Sequence, residues 1–340
     1  MIDKAIASDA CETSEKANES NQPKASSGSK VRFVTVTENN ESQRIDNFLL
    51  LTLKGVPKSK IYRIIRKGEV RVNKGRVKPE YKLVIGDVVR VPPVTVREES
   101  APVKPSDKVV ALLQGSIVFE NHELLVINKP SGLAVHGGSG INLGVIEAFR
   151  AMRPDEKFLE LVHRLDRDTS GCLLIAKKRP MLKYLHQCLR EDGMKKIYHT
   201  VVVGKWPNHV REVNAPLQKN ELKSGERVVT VTKEGKPSLT RFRLIDRFKG
   251  YTLVEASPIT GRTHQIRVHA AFAGYPILGD EKYGVDELNK GMKRLGSRRL
   301  MLHAAELSVK LPSERKVTVF KAPYEASFGK VIDSLNGAGQ

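Results

Sequence analysis

Residues 162–171 read Val-His-Arg-Leu-Asp-Arg-Asp-Thr-Ser-Gly, a dense polar stretch between two apolar ones. The apolar run 158–162 leads into it, and the run 172–176 that follows has the pattern of a buried strand. A polar loop between apolar strands is where a rigid scaffold usually presents functional groups. Arg164 and Arg167 flank Asp166, an arrangement that favours a charged carboxylate. On spacing alone, a solvated turn rich in salt bridges explains these residues equally well.

A second dense stretch, residues 260–269, reads Thr-Gly-Arg-Thr-His-Gln-Ile-Arg-Val-His. Gly261 stands before Arg, Thr and His at a predicted helix start, where free N–H groups and the helix dipole can attract an anion. Arg267, further along this helix, is able to reach back and pair with Asp166. Arg262 and His264 fit either phosphate contacts or supports behind the site.

Several common kinds of site are disfavoured. A metal centre would use His264, His269 and His303, but a spacing of five puts the first two on different helix faces, and there is no H-E-x-x-H sequence. The sequence also lacks the G-x-S-x-G elbow of serine hydrolases, and no G-x-G-x-x-G follows a strand. We therefore expect neither a metal nor another cofactor.

Composition divides the chain into four segments. Residues 1–30 are polar with few bulky apolar groups, so we expect a disordered tail. Residues 31–100 form a small basic module, in which positions 43–92 hold 13 Lys and Arg against 4 Asp and Glu, a local net charge of +9. Prolines mixed with charged residues mark 101–115 as a linker. The large remaining region, 116–335, is the second folded domain.

The pattern of strands and helices predicts an α+β fold. In the small module we expect helices at 42–54 and 59–67 and strands at 31–37, 69–72, 81–85 and 88–91. In the large region, predicted strands adjoin other strands as often as helices, which favours a mixed, largely antiparallel sheet over a regular parallel one. The predicted strands there are 124–128, 172–176, 196–203, 252–256 and 305–311, and the predicted helices are 143–152, 181–190 and 262–273.

The charge of the whole chain indicates the class of partner. With 58 Lys and Arg against 38 Asp and Glu, the formal net charge is +20, which favours a polyanion. No apolar run is long enough to cross a membrane and no secretory signal opens the sequence, so nucleic acid is the favoured partner. The three scattered cysteines fit a reducing cytoplasm better than a disulfide framework. Nothing in the sequence demands an oligomer, so we expect a monomer.

Four ordered motifs resemble those of the large ribosomal and transfer RNA pseudouridine synthase family. The central one is His163-Arg164-Leu165-Asp166, continued by residues 169–171. The others are Asn-Lys-Pro-Ser-Gly at 128–132, Lys-Ile-Tyr at 196–198 and Gly-Arg-Thr-His-Gln-Ile-Arg at 261–267. Residues 43–92 resemble an S4 domain, a small RNA-binding module that precedes many of these catalytic domains. The resemblance covers roughly residues 31–335.

The resemblance implies a role for each motif residue. Asp166 matches the nucleophile of the family, which attacks C6 of uracil or C1′ of the ribose, and Arg267 matches the arginine that pairs with it. Tyr198 matches the aromatic residue stacked on the target base, and Leu302 is expected to pack on the other face. Arg164 matches a residue that holds the everted nucleotide. His163 and Arg262 are expected to join it in substrate binding.

The resemblance also implies the partner. Residues 55–59 and 135–140 are similar to those of family members that modify 23S ribosomal RNA, so this RNA or its large-subunit precursor is the expected substrate. The cations expected to contact phosphates in the S4 domain are Lys58, Lys60, Arg63, Arg66 and Lys67. A rival hypothesis is a non-catalytic rRNA-binding or assembly factor with a decayed isomerase domain. The complete set of Asp166, Tyr198 and Arg267 argues against it.

Overall fold

The computed structural model describes residues 31–53, 55–94, 104–138, 143–221 and 227–337. The segment 1–30, expected to be disordered, lies outside the described residues. The chain separates into two compact units, one comprising residues up to 36 and 42–99 and the other residues 37–41 and 100–340. The division at 100 and 115 into domains and linker stays a prediction.

The first unit packs two helices on a three-stranded antiparallel sheet. Its strands are β1 Arg32–Thr35, β2 Arg71–Val72 and β3 Val88–Val91, in the order β1-β3-β2, and its helices are α1 Ile45–Thr52 and α2 Lys58–Arg66. The predicted apolar face of α2 is buried through Ile61, Ile64 and Ile65. Its cations are left outside this core, as expected for an amphipathic helix.

The prediction of a strand at residues 81–85 was wrong. Residues there make one isolated bridge, between Arg44 and Lys82, and no regular ladder. Their backbone groups bond outside a strand ladder. Leu83 N–H donates to the backbone carbonyl oxygen of Gln43, and the Asp87 carboxylate accepts Val84 N–H at 2.9 Å. A side chain that captures a backbone donor offers an alternative to the sheet ladder. Of the strand predicted at 69–72, the structure has only the two residues of β2, Arg71–Val72.

The second unit contains the remaining elements. Its strands are β4 Ile117–Glu120, β5 Leu124–Lys129, β6 Glu160–Leu161, β7 Ser170–Ala176, β8 Met194–Val203, β9 Glu212–Asn214, β10 Leu217–Glu221, β11 Arg227–Val231, β12 Leu239–Phe248, β13 Tyr251–Pro258, β14 Leu302–Lys310 and β15 Val317–Lys321. Its helices are α3 Asp107–Gly115, α4 Val145–Met152, α5 Arg179–Arg190, α6 Gln265–Phe272, α7 Asp286–Lys290 and α8 Ala326–Gly337. Short 3-10 turns occupy Glu38–Asn40 and Gly291–Leu295.

A ten-stranded mixed sheet organises this unit. The order along its main path is β4-β5-β7-β14-β8-β13-β12-β9, with β6 paired to β7 and β15 to β14; β10 and β11 form a separate hairpin. Among the described strands, β7 and β14 form the one parallel pair. The predicted α+β class with a largely antiparallel sheet is confirmed. No helix in the described ranges is long and apolar enough to cross a membrane.

Part of the predicted linker is helical. Helix α3 fills Asp107–Gly115, and Ser106 caps its first turn by accepting Val109 N–H. Leu113 of this helix is fully buried in the same cluster as Leu125 and Ile127. The prolines that suggested a linker lie before the helix, where they do not interrupt it. Helix α3 therefore belongs to the second unit and contributes to its core.

The sheet places the polar loop 162–169 directly before β7, at the sheet's centre. Gly171 in β7 has a φ of +110°, and a Cβ there would lie 2.2 Å from the carbonyl oxygen of Ala304 in β14. Only glycine permits so close an approach of the two backbones. Because Tyr198 in β8 pairs with Ala304 on the other side, this contact brings three chain segments together behind the loop.

Gly171→Ala is expected to lower the free energy of unfolding by about 2–4 kcal/mol, because the added methyl group forces apart two central strands at a strained φ. Chemical denaturation of the purified variant measures this change. Gly115→Ala is the matched control, since a Cβ there meets nothing within 4 Å. Equal stabilities for the two variants would contradict the close packing of β7 on β14.

Candidate active site

The loop that carries Asp166 is held from behind by the Asn-Lys-Pro-Ser-Gly segment. The buried Lys129 ammonium donates to the carbonyl oxygens of Pro130, Leu133 and Arg167 at 2.8, 2.8 and 2.9 Å. The Ser131 hydroxyl donates to the carbonyl oxygen of Asp168 at 2.8 Å. These contacts fix the backbone on the carboxyl side of Asp166, and Ser131 and Gly132 also line a cavity together with Asp166.

Lys129 is an unusual residue for this task. It is fully buried, and burial lowers the pKa of its ammonium group to about 7. Three carbonyl acceptors match the three donors of a charged ammonium group. A buried cation is tolerated when all its donors are used in this way. The position of Lys129 therefore gives this motif a structural role behind the loop.

Arg267 lies beside Asp166, as the sequence predicts. Its Nη1 is 3.5 Å from Asp166 Oδ2, while Nε and Nη2 each lie 2.7 Å from the Asp280 carboxylate. Burial is the largest single cause and lowers the pKa of Arg267, but the hydrogen bond and the charge of Asp280, together with the charge of Asp166, raise the pKa overall. Burial would raise the pKa of Asp280, and Arg267 reverses that shift as well. The guanidinium therefore stays charged and is aimed at Asp166 by a buried carboxylate.

Tyr198 and Leu302 lie in one cleft with Asp166. This cleft has a volume of about 830 Å³, and its apolar lining includes Ile266 and Leu302. Tyr198 faces the cleft from β8 and packs against the apolar cluster that includes Leu302. Burial is the main cause that raises the pKa of the Tyr198 hydroxyl, which keeps it neutral. An aromatic ring, an aliphatic side chain and a carboxylate in one cleft suit a flat base and its sugar.

The predicted substrate-binding residues take different positions in this cleft. Arg164 and Arg262 are exposed at its wall, and Arg262 Nε donates to the carbonyl oxygen of Pro237 at 3.3 Å. His163 also lines the cleft, but its Nε2 accepts Leu174 N–H at 3.2 Å. Burial lowers the pKa of His163 to about 4, so it is a neutral acceptor that fixes the loop to β7.

The histidines considered as metal ligands are engaged in separate places. His269 bonds to Thr240 and to the Ala215 carbonyl oxygen, and His303 bonds to Ser170 and the Ala322 carbonyl oxygen. Within the described ranges, no group of three or more His, Cys, Asp or Glu side chains is arranged to hold a metal ion.

The five predicted phosphate-binding cations belong to the first unit. Lys58, Arg63, Arg66 and Lys67 are exposed on or just after α2, and Lys60 is half-buried. They form the basic surface opposite the buried isoleucines of this amphipathic helix. Such a surface is suited to the phosphates of a nucleic acid.

Three supporting residues were not predicted from sequence. Asp280 has no local motif and lies 13 positions after its partner Arg267. Tyr283 follows it, with its hydroxyl 2.7 Å from His264 Nδ1. Gln265 is buried, and its side-chain oxygen accepts from the Thr260 hydroxyl and from Arg262 N–H, which closes the loop before α6.

Comparison with known proteins agrees with the fold and the motifs. The family model described as RNA pseudouridylate synthase matches residues 123–272, and the S4 domain model matches residues 43–89. The chain is 55% identical over 308 residues to the ribosomal large subunit pseudouridine synthase C of Haemophilus influenzae, covering 90% of this chain and 96% of that protein. The Escherichia coli (strain K12) protein of that name is also 55% identical, over 91% of this chain and 98% of its own length.

A solved structure shares the architecture. The human RNA pseudouridylate synthase domain containing 4 protein superposes with a TM-score of 0.56 at 25% identity, covering 67% of this chain and 96% of that one.

Proposed function

The chain belongs to the RNA pseudouridylate synthase family, and from that premise we propose that it isomerises uridine to pseudouridine in large-subunit (23S) ribosomal RNA, with Asp166 as the nucleophile. One observation carries the proposed mechanism: Asp166, Tyr198 and Leu302 line one cleft, and Arg267 lies 3.5 Å from the carboxylate. We further propose that the enzyme acts in the cytoplasm as a monomer, without a metal or cofactor.

The isomerisation is chemically self-contained. The glycosidic bond moves from N1 to C5 of the uracil, C5 loses a proton and N1 gains one. Attack of the Asp166 carboxylate at C1′ displaces N1 of the base directly, whereas addition to C6 must be followed by cleavage of the C1′–N1 bond. In both cases the base turns, C5 bonds to C1′, and the carboxylate leaves and is regenerated. A carboxylate suits this task because it is ionised at neutral pH. Arg267 balances its charge and orients it.

The base must leave its stack to reach the carboxylate. Flipping a nucleotide out of a helix costs a few kcal/mol, which the enzyme must offset by contacts to the base and to the gap it leaves. In this proposal Tyr198 stacks on one face of the uracil and Leu302 packs on the other. Arg164, exposed at the cleft wall, holds the everted nucleotide together with Arg262. His163 contributes by fixing the loop.

The substrate class rests on two supports. The relatives that match over 90% of the chain are named for the ribosomal large subunit. The S4 unit presents the exposed cations Lys58, Arg63, Arg66 and Lys67, which suit a phosphate backbone. Contacts of this kind supply affinity without reading sequence, so the choice of uridine falls to the cleft and to the shape of the RNA.

Changing Lys58, Arg63, Arg66 and Lys67 together to Gln is expected to weaken rRNA binding by about 10- to 1000-fold at moderate salt, because up to four phosphate contacts are lost. The slope of log affinity against log salt should fall by about 1–3. Filter binding across a salt series measures both. The control changes Lys310, Arg315, Lys316 and Lys330, exposed cations of the second unit, to Gln and removes the same charge. An equal loss in the two variants would contradict a specific docking role.

The substrate proposal is tested by counting pseudouridine formed in three unmodified transcripts. The purified enzyme is incubated with large-subunit rRNA, small-subunit rRNA and transfer RNA, and nucleosides are separated by chromatography after digestion. We expect product in the large-subunit RNA alone. Product only in transfer RNA would overturn the substrate assignment, and tight binding without product in any RNA, including a precursor particle, would favour an assembly factor.

A further inference from the structure

His264 occupies an unusual backbone position beside Asp166. It stands immediately before α6 with φ 53° and ψ 19°, in the left-handed region that non-glycine residues rarely adopt. Its carbonyl oxygen accepts Val268 N–H at 2.9 Å, so the first turn of the helix retains it in place. Strained positions of this kind cluster at functional sites. The consequence here is that the imidazole points toward the carboxylate.

The tautomer of His264 is set by Tyr283. The Tyr283 hydroxyl oxygen accepts Val229 N–H at 3.0 Å and lies 2.7 Å from His264 Nδ1. Because the Tyr283 oxygen already accepts the Val229 N–H, the Tyr283 hydroxyl donates its own proton to Nδ1 of His264. A neutral imidazole then carries its proton on Nε2. The ring of Tyr283 is fixed in turn, because the Arg267 guanidinium lies over it at 5.1 Å.

The charged groups around His264 are consistent with a neutral ring. Burial is the largest cause that lowers the pKa of His264, and Arg267 and Lys282 act in the same direction. Asp166 and Asp280 oppose this shift without reversing it. At neutral pH the imidazole is therefore a hydrogen donor at Nε2 and not a cation.

His264 and Arg267 approach the same oxygen of Asp166. Nε2 of His264 lies 3.8 Å from Oδ2, and Nη1 of Arg267 lies 3.5 Å from it. Among the described residues, Oδ1 has no hydrogen-bond partner. We propose that His264 is a positioning residue, which with Arg267 holds Oδ2 and leaves Oδ1 as the oxygen that attacks the nucleotide. This inference rests on the proposed function of Asp166 as nucleophile.

The distance indicates how this contact acts. At 3.8 Å it is electrostatic and longer than a hydrogen bond. Such interactions strengthen when bound RNA displaces water from the cleft and lowers the local dielectric constant. The effect therefore belongs to the chemical step more than to RNA binding, which gives it a distinct kinetic signature: kcat changes and KM does not.

Three variants test the role of His264. His264→Leu removes the donor, and we expect kcat to fall by about 10- to 100-fold with KM and RNA affinity unchanged. His264→Gln places an amide N–H the same number of bonds from Cα as Nε2, and is expected to recover kcat to within about fivefold of wild type. Tyr283→Phe keeps the ring under Arg267 and loses only the hydroxyl, so a fall in kcat of about threefold to tenfold is expected. His122→Leu, at an exposed histidine outside the site, is the control.

Turnover is measured as C5-tritium release from labelled rRNA, with thermal unfolding as the check on folding. The inference would be overturned if His264→Leu kept the wild-type kcat or changed only KM. It would also be overturned if His264→Gln lost as much kcat as His264→Leu. Should His264→Leu fail to fold, the Gln and Tyr283→Phe variants still decide it: wild-type kcat in Tyr283→Phe overturns the tautomer argument. Inactive wild-type enzyme would instead overturn the proposed function, and this role with it.

Discussion

Asp166→Asn is expected to lower the turnover number by at least about 10⁴-fold, because an amide cannot act as the nucleophile that a carboxylate provides. The variant is nearly isosteric and keeps the loop contacts from Lys129 and Ser131 to the neighbouring carbonyls. RNA affinity should therefore change by less than about threefold. Single-turnover kinetics with nucleoside chromatography measure the first quantity, and filter binding measures the second.

Asp168→Asn is the matched control for this prediction. Asp168 lies two positions further along the same loop, and its carboxylate pairs with Arg167 in an exposed surface contact. The substitution removes the same charge, and such surface pairs contribute little to stability. We expect Asp168→Asn to retain most of the activity. A similar loss in both variants would indicate that charge in the loop matters and that Asp166 has no special chemical role.

Arg267→Leu is expected to lower the free energy of unfolding by about 3–5 kcal/mol, because it leaves the Asp280 carboxylate buried without its charged partner. The Asp280 side chain is 0% exposed, so water cannot replace the guanidinium. Activity should fall by about 100-fold or more, since Asp166 loses the cation that orients it. Chemical denaturation and single-turnover kinetics give the two values.

A double variant separates the structural from the chemical part of this effect. Adding Asp280→Asn to Arg267→Leu removes the unpaired buried charge, while the amide oxygen can still accept the N–H groups of Lys282 and Tyr283. We expect stability to recover by about 1–3 kcal/mol and activity to stay low. Recovered activity would mean that Arg267 only supports the fold.

Most of the correct predictions about the fold and the site came from short motifs that are contiguous in sequence. The loop with Asp166 is contiguous in sequence and lies between apolar runs, so its position before a buried strand followed from the pattern alone. The approach of Arg267 to Asp166 was predicted, although the two lie 101 residues apart, and it is confirmed at 3.5 Å. The regions that pair through regular ladders, such as β3 and β8, were also predicted close to their observed ends.

Contacts set by tertiary packing could not be predicted in this way. Asp280 gives no periodic signal, because a single carboxylate in a turn is usually solvated, and only the fold buries it against Arg267. The tautomer of His264 depends on a tyrosine and on a backbone N–H from β11. Residues 81–85 have strand-like composition, yet the Asp87 side chain captures one of their donors. In each of these cases a long-range or side-chain contact overrides the local pattern.

Tritium release from large-subunit rRNA labelled at uridine C5, with wild type and Asp166→Asn side by side, tests both the reaction and the nucleophile. Forming pseudouridine displaces the C5 hydrogen without changing the mass of the nucleoside. Tritium release therefore detects a reaction that mass measurement of the product does not. We expect release by the wild-type enzyme and none above background by Asp166→Asn. Equal release by both would contradict Asp166 as the nucleophile, and release by neither, with rRNA binding intact, would contradict the proposed reaction on this RNA.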